Sequence, residues 1–291
     1  MSLLENYSGI IYLFLFILGA SLGSFAGVII SRWPLGISIV WQKSFCASCQ
    51  RPLKIWHNVP ILSYLYLRGR CAFCKKFYGI RPLVIELLCA FCLLALYIKL
   101  GFSFALLERF IFFFVLLCLA YIDIDTFCLP YSLLAALIIT GVVFSIIYYY
   151  FPSFWVDYYG LKLPIPLVFS SSGLFSLQDR VLGALSGGGI FATINLVATF
   201  ILRKQKRLLS HQWAMGWGDP ILLSGIALFV GLSHLLLVIF LASAMGALLG
   251  ILQKFIHKAK EEEKFEDDDV AQGALPYGPF LAIAGIFVYL L

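Results

Sequence analysis

The chain has 291 residues, 62% of them hydrophobic and 12% charged, and a mean hydropathy of +0.97. Soluble domains are about 25% charged, so too few polar side chains exist here to cover a water-facing surface, and a soluble globular protein is excluded. The net charge of +6 comes with no base-reading motif and no stacking pattern. That argues against a nucleic-acid partner and for contact with anionic membrane lipid.

The apolar runs are continuous for about 18 residues or more, as in membrane helices, and do not alternate like barrel strands. In chain order they cover 9–31, 83–101, 104–122, 130–150, 181–202, 217–232, 234–253 and 276–291. The expectation is an all-α polytopic membrane protein with about eight transmembrane helices. The last run is short, and Gly and Pro interrupt its start. The first has Glu5 where a signal peptide would have a basic region, and its apolar stretch is too long for one, so it reads as a span.

Three segments hold most of the positive charge. Residues 32–82 carry nine Lys and Arg with no Asp or Glu, RKQKR at 203–207 carries four, and 254–264 carries four, together seventeen of the 21. Lys and Arg are retained on the cytoplasmic side, and eight spans place all three segments on that side. The division expected is a first helix at 1–31, a basic cytoplasmic four-cysteine loop at 32–82, and a membrane core at 83–291 with cytoplasmic loops 203–216 and 254–275. KEEEKFEDDD (260–269) reads as a solvated tether. The outer loop 151–178 reads as a segment resting on the membrane surface.

Of eight cysteines, Cys89, Cys92, Cys118 and Cys128 lie in or beside apolar runs and read as small core residues. The other four form CASC (Cys46, Cys49) and CAFC (Cys71, Cys74), with 21 residues between the pairs. Two such knuckles bring four thiolates to one tetrahedral point, the way Zn²⁺ is held. Four sulfur ligands leave no open position, so the metal would be structural. Disulfides are the alternative, disfavoured in a reducing cytoplasm.

Few carboxylates lie near the membrane. Asp123 and Asp125 stand in YIDIDTFCLP at the end of the third run, and Asp219 stands in MGWGDP at the start of the sixth. With eight spans, Asp123 and Asp219 share one depth at the cytoplasmic edge. Two carboxylates at one desolvated site share a proton, and such a pair can activate water against a peptide bond. Gly216 and Gly218 suit close backbone approach at a helix start. Asp219 followed by Pro220 also fits a helix N-cap, and paired carboxylates also serve ion-coupled transport.

Five motifs, in order, resemble the bacterial type IV prepilin leader peptidases, membrane aspartic proteases of the GxGD type. They are GASLGSFAGVIISRWP (19–34), the cysteine loop and its continuation (46–88), YIDIDTFCLP, MGWGDPILLSGIALFVG and LPYGPFLAIAG (275–285). The resemblance covers nearly the whole chain. It implies cleavage of a short basic leader from type IV prepilins or pseudopilins at the cytoplasmic face of the inner membrane. In many members S-adenosylmethionine-dependent methylation of the new N-terminus follows. It implies Asp123 and Asp219 as the catalytic pair. It implies Asp125 and Glu86 as supporting residues, Glu86 either in an ion pair with Arg81 or near the substrate or methylation site. No glycine-rich cradle marks the S-adenosylmethionine site. Three positions depart from the family pattern: Gly27 where an asparagine is usual, Tyr131 after Leu129-Pro130 where Asp or Asn is usual, and Ile221 where the GxGDxK lysine would be. The alternatives are a GxGD protease with other substrates and a catalytically reduced scaffold of a pilus or secretion system.

Overall fold

The computed structural model describes residues 2–39, 41, 44–46, 48–150, 177–205, 213–214, 216–260 and 276–290. The expected outer loop at 151–178 and the acidic tether lie almost wholly outside these residues. The described chain is helical, with two isolated β-bridges, and it divides into two compact units, Met1–Phe114 and Val115–Leu291.

In the first unit α1 (Ser2–Arg32) packs against α3 (Arg81–Leu100). Glycines spaced four apart allow this. A Cβ on Gly19 would stand 2.7 Å from the Ala90 Cα, and one on Gly23 would stand 2.6 Å from the Glu86 Cα. Without side chains at these two positions the backbones touch, which is how helices associate where no hydrophobic force separates them from lipid. Edge-to-face rings, Tyr12 on Tyr97 and Phe16 on Phe91, continue the seam.

Between these helices the cysteine loop contains structure that its sequence pattern did not announce. Phe45 bridges to Pro52 and Arg70 to Phe77, one bridge around each CxxC. Each knuckle closes alike: the Cys46 N–H donates to the Arg51 carbonyl and the Cys71 N–H to the Lys76 carbonyl. Each also has a left-handed residue after its second cysteine, Gln50 (φ 57°) and Lys75 (φ 59°). A short helix, α2 (Leu62–Leu67), lies between the knuckles.

The helix α4 (Phe104–Thr126) is followed in the second unit by α5 (Tyr131–Tyr150), α6 (Leu177–Lys204), α7 (Gly218–Val230), α8 (Leu232–Lys260) and α9 (Gly278–Leu290). Among the described residues six helices are long and apolar enough to cross a membrane, and α7 and α9 are shorter. Six of the about eight expected spans therefore have full length, and the sixth and eighth runs form the two shorter helices. Thirteen residues extend about 20 Å, against about 30 Å of hydrocarbon. The apolar run at 217–232 is broken by Gly231, at φ 76°, so α7 ends early and α8 starts at once. The helix α8 also continues to Lys260, into the stretch expected as loop.

α7 is the buried axis of its unit. Leu222, Leu223, Ile226, Ala227 and Phe229 have no exposed surface. Glycines again set the distance: Gly141 of α5 faces Leu228 and Phe229, Gly183 of α6 faces the Gly231 backbone, and Gly285 of α9 faces Ile226. Ser224 of α7 donates to the Ala184 carbonyl of α6 at 3.0 Å. Near the C-terminal end of α7, Arg180 is buried with its guanidinium 5.4 Å from the Tyr148 ring, and Ser233 lies between Asp179 and His234. Cys89 and Cys118 are fully buried as expected, whereas Cys128 is exposed because α4 ends before it.

Candidate active site

The second unit brings the termini of three helices to one place. α4 stops when Phe127 turns left-handed at φ 52° and its N–H bonds back to the Asp123 carbonyl at 2.9 Å. The Thr126 hydroxyl donates to the Ile122 carbonyl at 2.8 Å, fixing the last turn. Asp123 is held there, 5% exposed. Its carboxylate accepts the backbone N–H of Gly278, the first residue of α9. A Cβ at 278 would stand 2.5 Å from Asp123 Oδ2, so a side chain there would push the carboxylate aside.

α7 begins beside this point. Gly218 lies against buried Leu129, whose Cβ would be 2.9 Å from a Cβ at 218, and Leu129 also touches Gly278. Asp219 follows in the first turn, half-buried and within electrostatic reach of both Asp123 and Tyr277. The N-cap of α7 is Trp217, with no side-chain cap, so Asp219 is not the capping residue that Pro220 suggested. A carboxylate in a first turn is favoured by the helix dipole, and Asp219 stands in one such field.

Further contacts fix the chain entering α7. The Ala214 N–H donates to Thr199 Oγ1 of α6 at 2.9 Å. Arg203 stacks over Trp213 at 5.3 Å, and Trp213 meets Trp217 edge-on at 5.1 Å. On the other side the Tyr277 hydroxyl pairs with Ser243 at 3.0 Å.

The candidate residues therefore separate. Asp123, Asp219 and Gly218 come together. Asp125 is exposed, because residues two apart on a helix point to different faces. Gly216 has open space around it, so close approach is not what its position requires. Glu86 belongs to the first unit, where it accepts the Ile61 N–H at 2.6 Å and a bond from Ser24. Gly278 and Tyr277 were not singled out from the sequence. The Gly-Pro pair opening the last apolar run was the available signal, since it marks a helix start where the backbone is free to bond elsewhere.

The four knuckle sulfurs lie within 4.8 Å of one another, with Cys46–Cys74 at 3.8 Å and Cys49–Cys71 at 4.0 Å. Ligands about 2.3 Å from a tetrahedral Zn²⁺ stand about 3.8 Å apart, so the cluster could hold a metal ion of that kind. The N–H groups of Cys49 and then Ser48 draw the Cys46 thiol down to about 6. Cys49 has a favourable N–H from Arg51, but desolvation and the neighbouring sulfurs push it up to about 11.

Comparison with known proteins agrees with this division. Residues 17–100 match the bacterial peptidase A24 N-terminal domain, and 110–251 match the type IV leader peptidase family. A prepilin leader peptidase/N-methyltransferase of Stutzerimonas stutzeri is 30% identical over 92% of this chain and 86% of its own. The chain belongs to the type IV leader peptidase family. Proteins of the same name from Aeromonas hydrophila (28% identical, 97% of this chain and 92% of theirs) and Neisseria gonorrhoeae (27%, 94% and 88%) are similarly related. No solved structure matches the chain.

Within this leader peptidase the first family match covers the four cysteines and the second covers both aspartates, but the second stops before Gly278. The three departures leave the acidic pair in place. Tyr131 is an exposed first residue of α5, Ile221 lies in the first turn of α7, and Gly27 has open space where a side chain would stand.

Proposed function

We propose that the protein cleaves the basic leader from type IV prepilins or pseudopilins, using Asp123 and Asp219 as the catalytic pair. The observation that carries this is the convergence of two aspartates, 96 positions apart in the sequence, on one partly buried site built from helix ends. The N–H of Gly278 holds the Asp123 carboxyl in place. The two carboxyls share one proton, because like charges at one desolvated site do not both ionise; it starts on Asp219, with Asp123 as the base.

In this reading Asp123 takes a proton from a water held between the carboxyls, and the water oxygen bonds to the carbonyl carbon. Asp219 donates its hydrogen to the carbonyl oxygen as charge develops. Collapse of the tetrahedral species breaks the C–N bond; the proton gained by Asp123 passes to the leaving nitrogen, and one hydroxyl proton of the new carboxyl returns to Asp219. Tyr277 lies within electrostatic reach of Asp219, and Trp217 caps the helix that carries it.

The protein is a multi-pass protein of the inner membrane. The basic segments support a cytoplasmic face for the dyad, with α7 and α9 as the two shorter of eight crossings. The four cysteines hold a structural Zn²⁺ that fixes the loop between α1 and α3. Methylation of the new N-terminal amine accompanies cleavage, with S-adenosylmethionine as the methyl donor. The basic loop has no glycine-rich cradle that would mark the donor's place.

Mass spectrometry of a prepilin's N-terminus after expression with and without this protein tests the proposal. Removal of the leader, together with a 14 Da gain typical of one methyl group (about 14 Da, one CH₂ equivalent), is the expected result. An intact leader in the presence of the folded protein contradicts it.

A further inference from the structure

The short helix α2 is turned inside out. Leu62, Leu65 and Tyr66 share one face by their spacing, and they are 65%, 60% and 86% exposed. Ser63, Tyr64 and Leu67 make up the half-buried face toward the loop. Trp56, on the 3₁₀ turn that packs against α2, is also exposed. An apolar face of this kind has a partner, and Glu86 fixes where that partner lies.

Glu86 is the sixth residue of α3, and its carboxylate accepts the N–H of Ile61, the residue that precedes α2, at 2.6 Å. Ile61 holds a φ of 61°, a conformation that a β-branched residue rarely adopts, so this bond fixes the start of α2 against a disfavoured backbone. α3 has twenty residues, about 30 Å, which is just the thickness of the hydrocarbon core. Its sixth residue lies about 8 Å along the axis. Helices that rest in a membrane surface sink their apolar face by about 5–10 Å. The start of α2 is therefore tied about 8 Å inside the headgroup and acyl boundary, within the depth to which such apolar faces sink.

Charge agrees with that placement. Arg68 and Arg70 directly follow α2 and are exposed, and the whole stretch 32–82 has no acidic residue. We propose that α2 is an interfacial anchor. Leu62, Leu65, Tyr66 and Trp56 enter the lipid, Arg68 and Arg70 meet anionic phospholipid headgroups, and Glu86 is the tether that sets the depth.

The test uses the full chain in phosphatidylcholine vesicles with and without phosphatidylglycerol. p-Benzoylphenylalanine replaces Tyr66, or in a second variant Leu62, and Ile98, exposed on α3, is the positive control for lipid contact. The proposal expects lipid adducts at both positions without any prepilin present, several-fold more with phosphatidylglycerol, and loss of that increment in an Arg68→Gln/Arg70→Gln background. Adducts to a prepilin or to a second copy of the chain, in place of lipid, overturn it. So does a lipid adduct at the control position with none at 62 or 66.

Discussion

Asp123 owes its environment to a glycine 155 positions away in the chain. Gly278 contributes an N–H, and its lack of a side chain leaves room for the carboxylate. Gly278→Ala would force Asp123 Oδ2 away from a methyl group that otherwise stands at 2.5 Å. Displacement of a catalytic group by about 1 Å can cost about 10²-fold in rate. Turnover of prepilin by Gly278→Ala should fall by about that factor, with little change in KM, as measured by quantitative gel or mass-spectrometric kinetics. Equal loss of kcat and rise of KM would instead mark Gly278 as part of the substrate surface.

At the scale of elements, glycine spacing decides which helices touch. Gly23 has the Glu86 backbone where its side chain would be, whereas Gly27, one turn on, has open space. Gly23→Ala should lower thermal stability in detergent by an amount typical of overpacking, about 1–3 kcal/mol, while Gly27→Ala should leave it unchanged within error. The knuckles make a second prediction. Purified protein should contain one Zn²⁺ per chain. Chelation should expose the segment around Gln50 and Lys75 to proteolysis, because a small loop without an apolar core folds around its metal. Zinc-free protein with the same protection pattern would remove the metal from the account.

For the whole molecule, the long apolar runs made the six full-length helices legible, since period and length need no tertiary information. The short helices were less so. The division of 217–253 into two runs was legible to within two residues of Gly231, but not that the first of them is a 13-residue buried axis, because Gly is also common inside membrane helices. α2 has six residues, too few for periodicity to register. At the site, Asp123 and Asp219 stood out because carboxylates beside hydrocarbon are rare. Gly278 did not, because its meaning lies in a contact with a distant residue. Asp219 suggested a cap through Pro220, a local signal that the actual start of α7 at Gly218 overrode.

The central claim is that Asp123 and Asp219 act as one unit on one water. Prepilin cleavage should be measured in vesicles for the wild type, Asp123→Asn, Asp219→Asn and the double variant, each checked for folding by zinc content and thermal melting. The account predicts that each single change lowers kcat by roughly 10²–10⁴-fold and that the double variant is no slower than the slower single one, as for residues that act together. A single variant at full rate, or losses that multiply in the double variant, would contradict it.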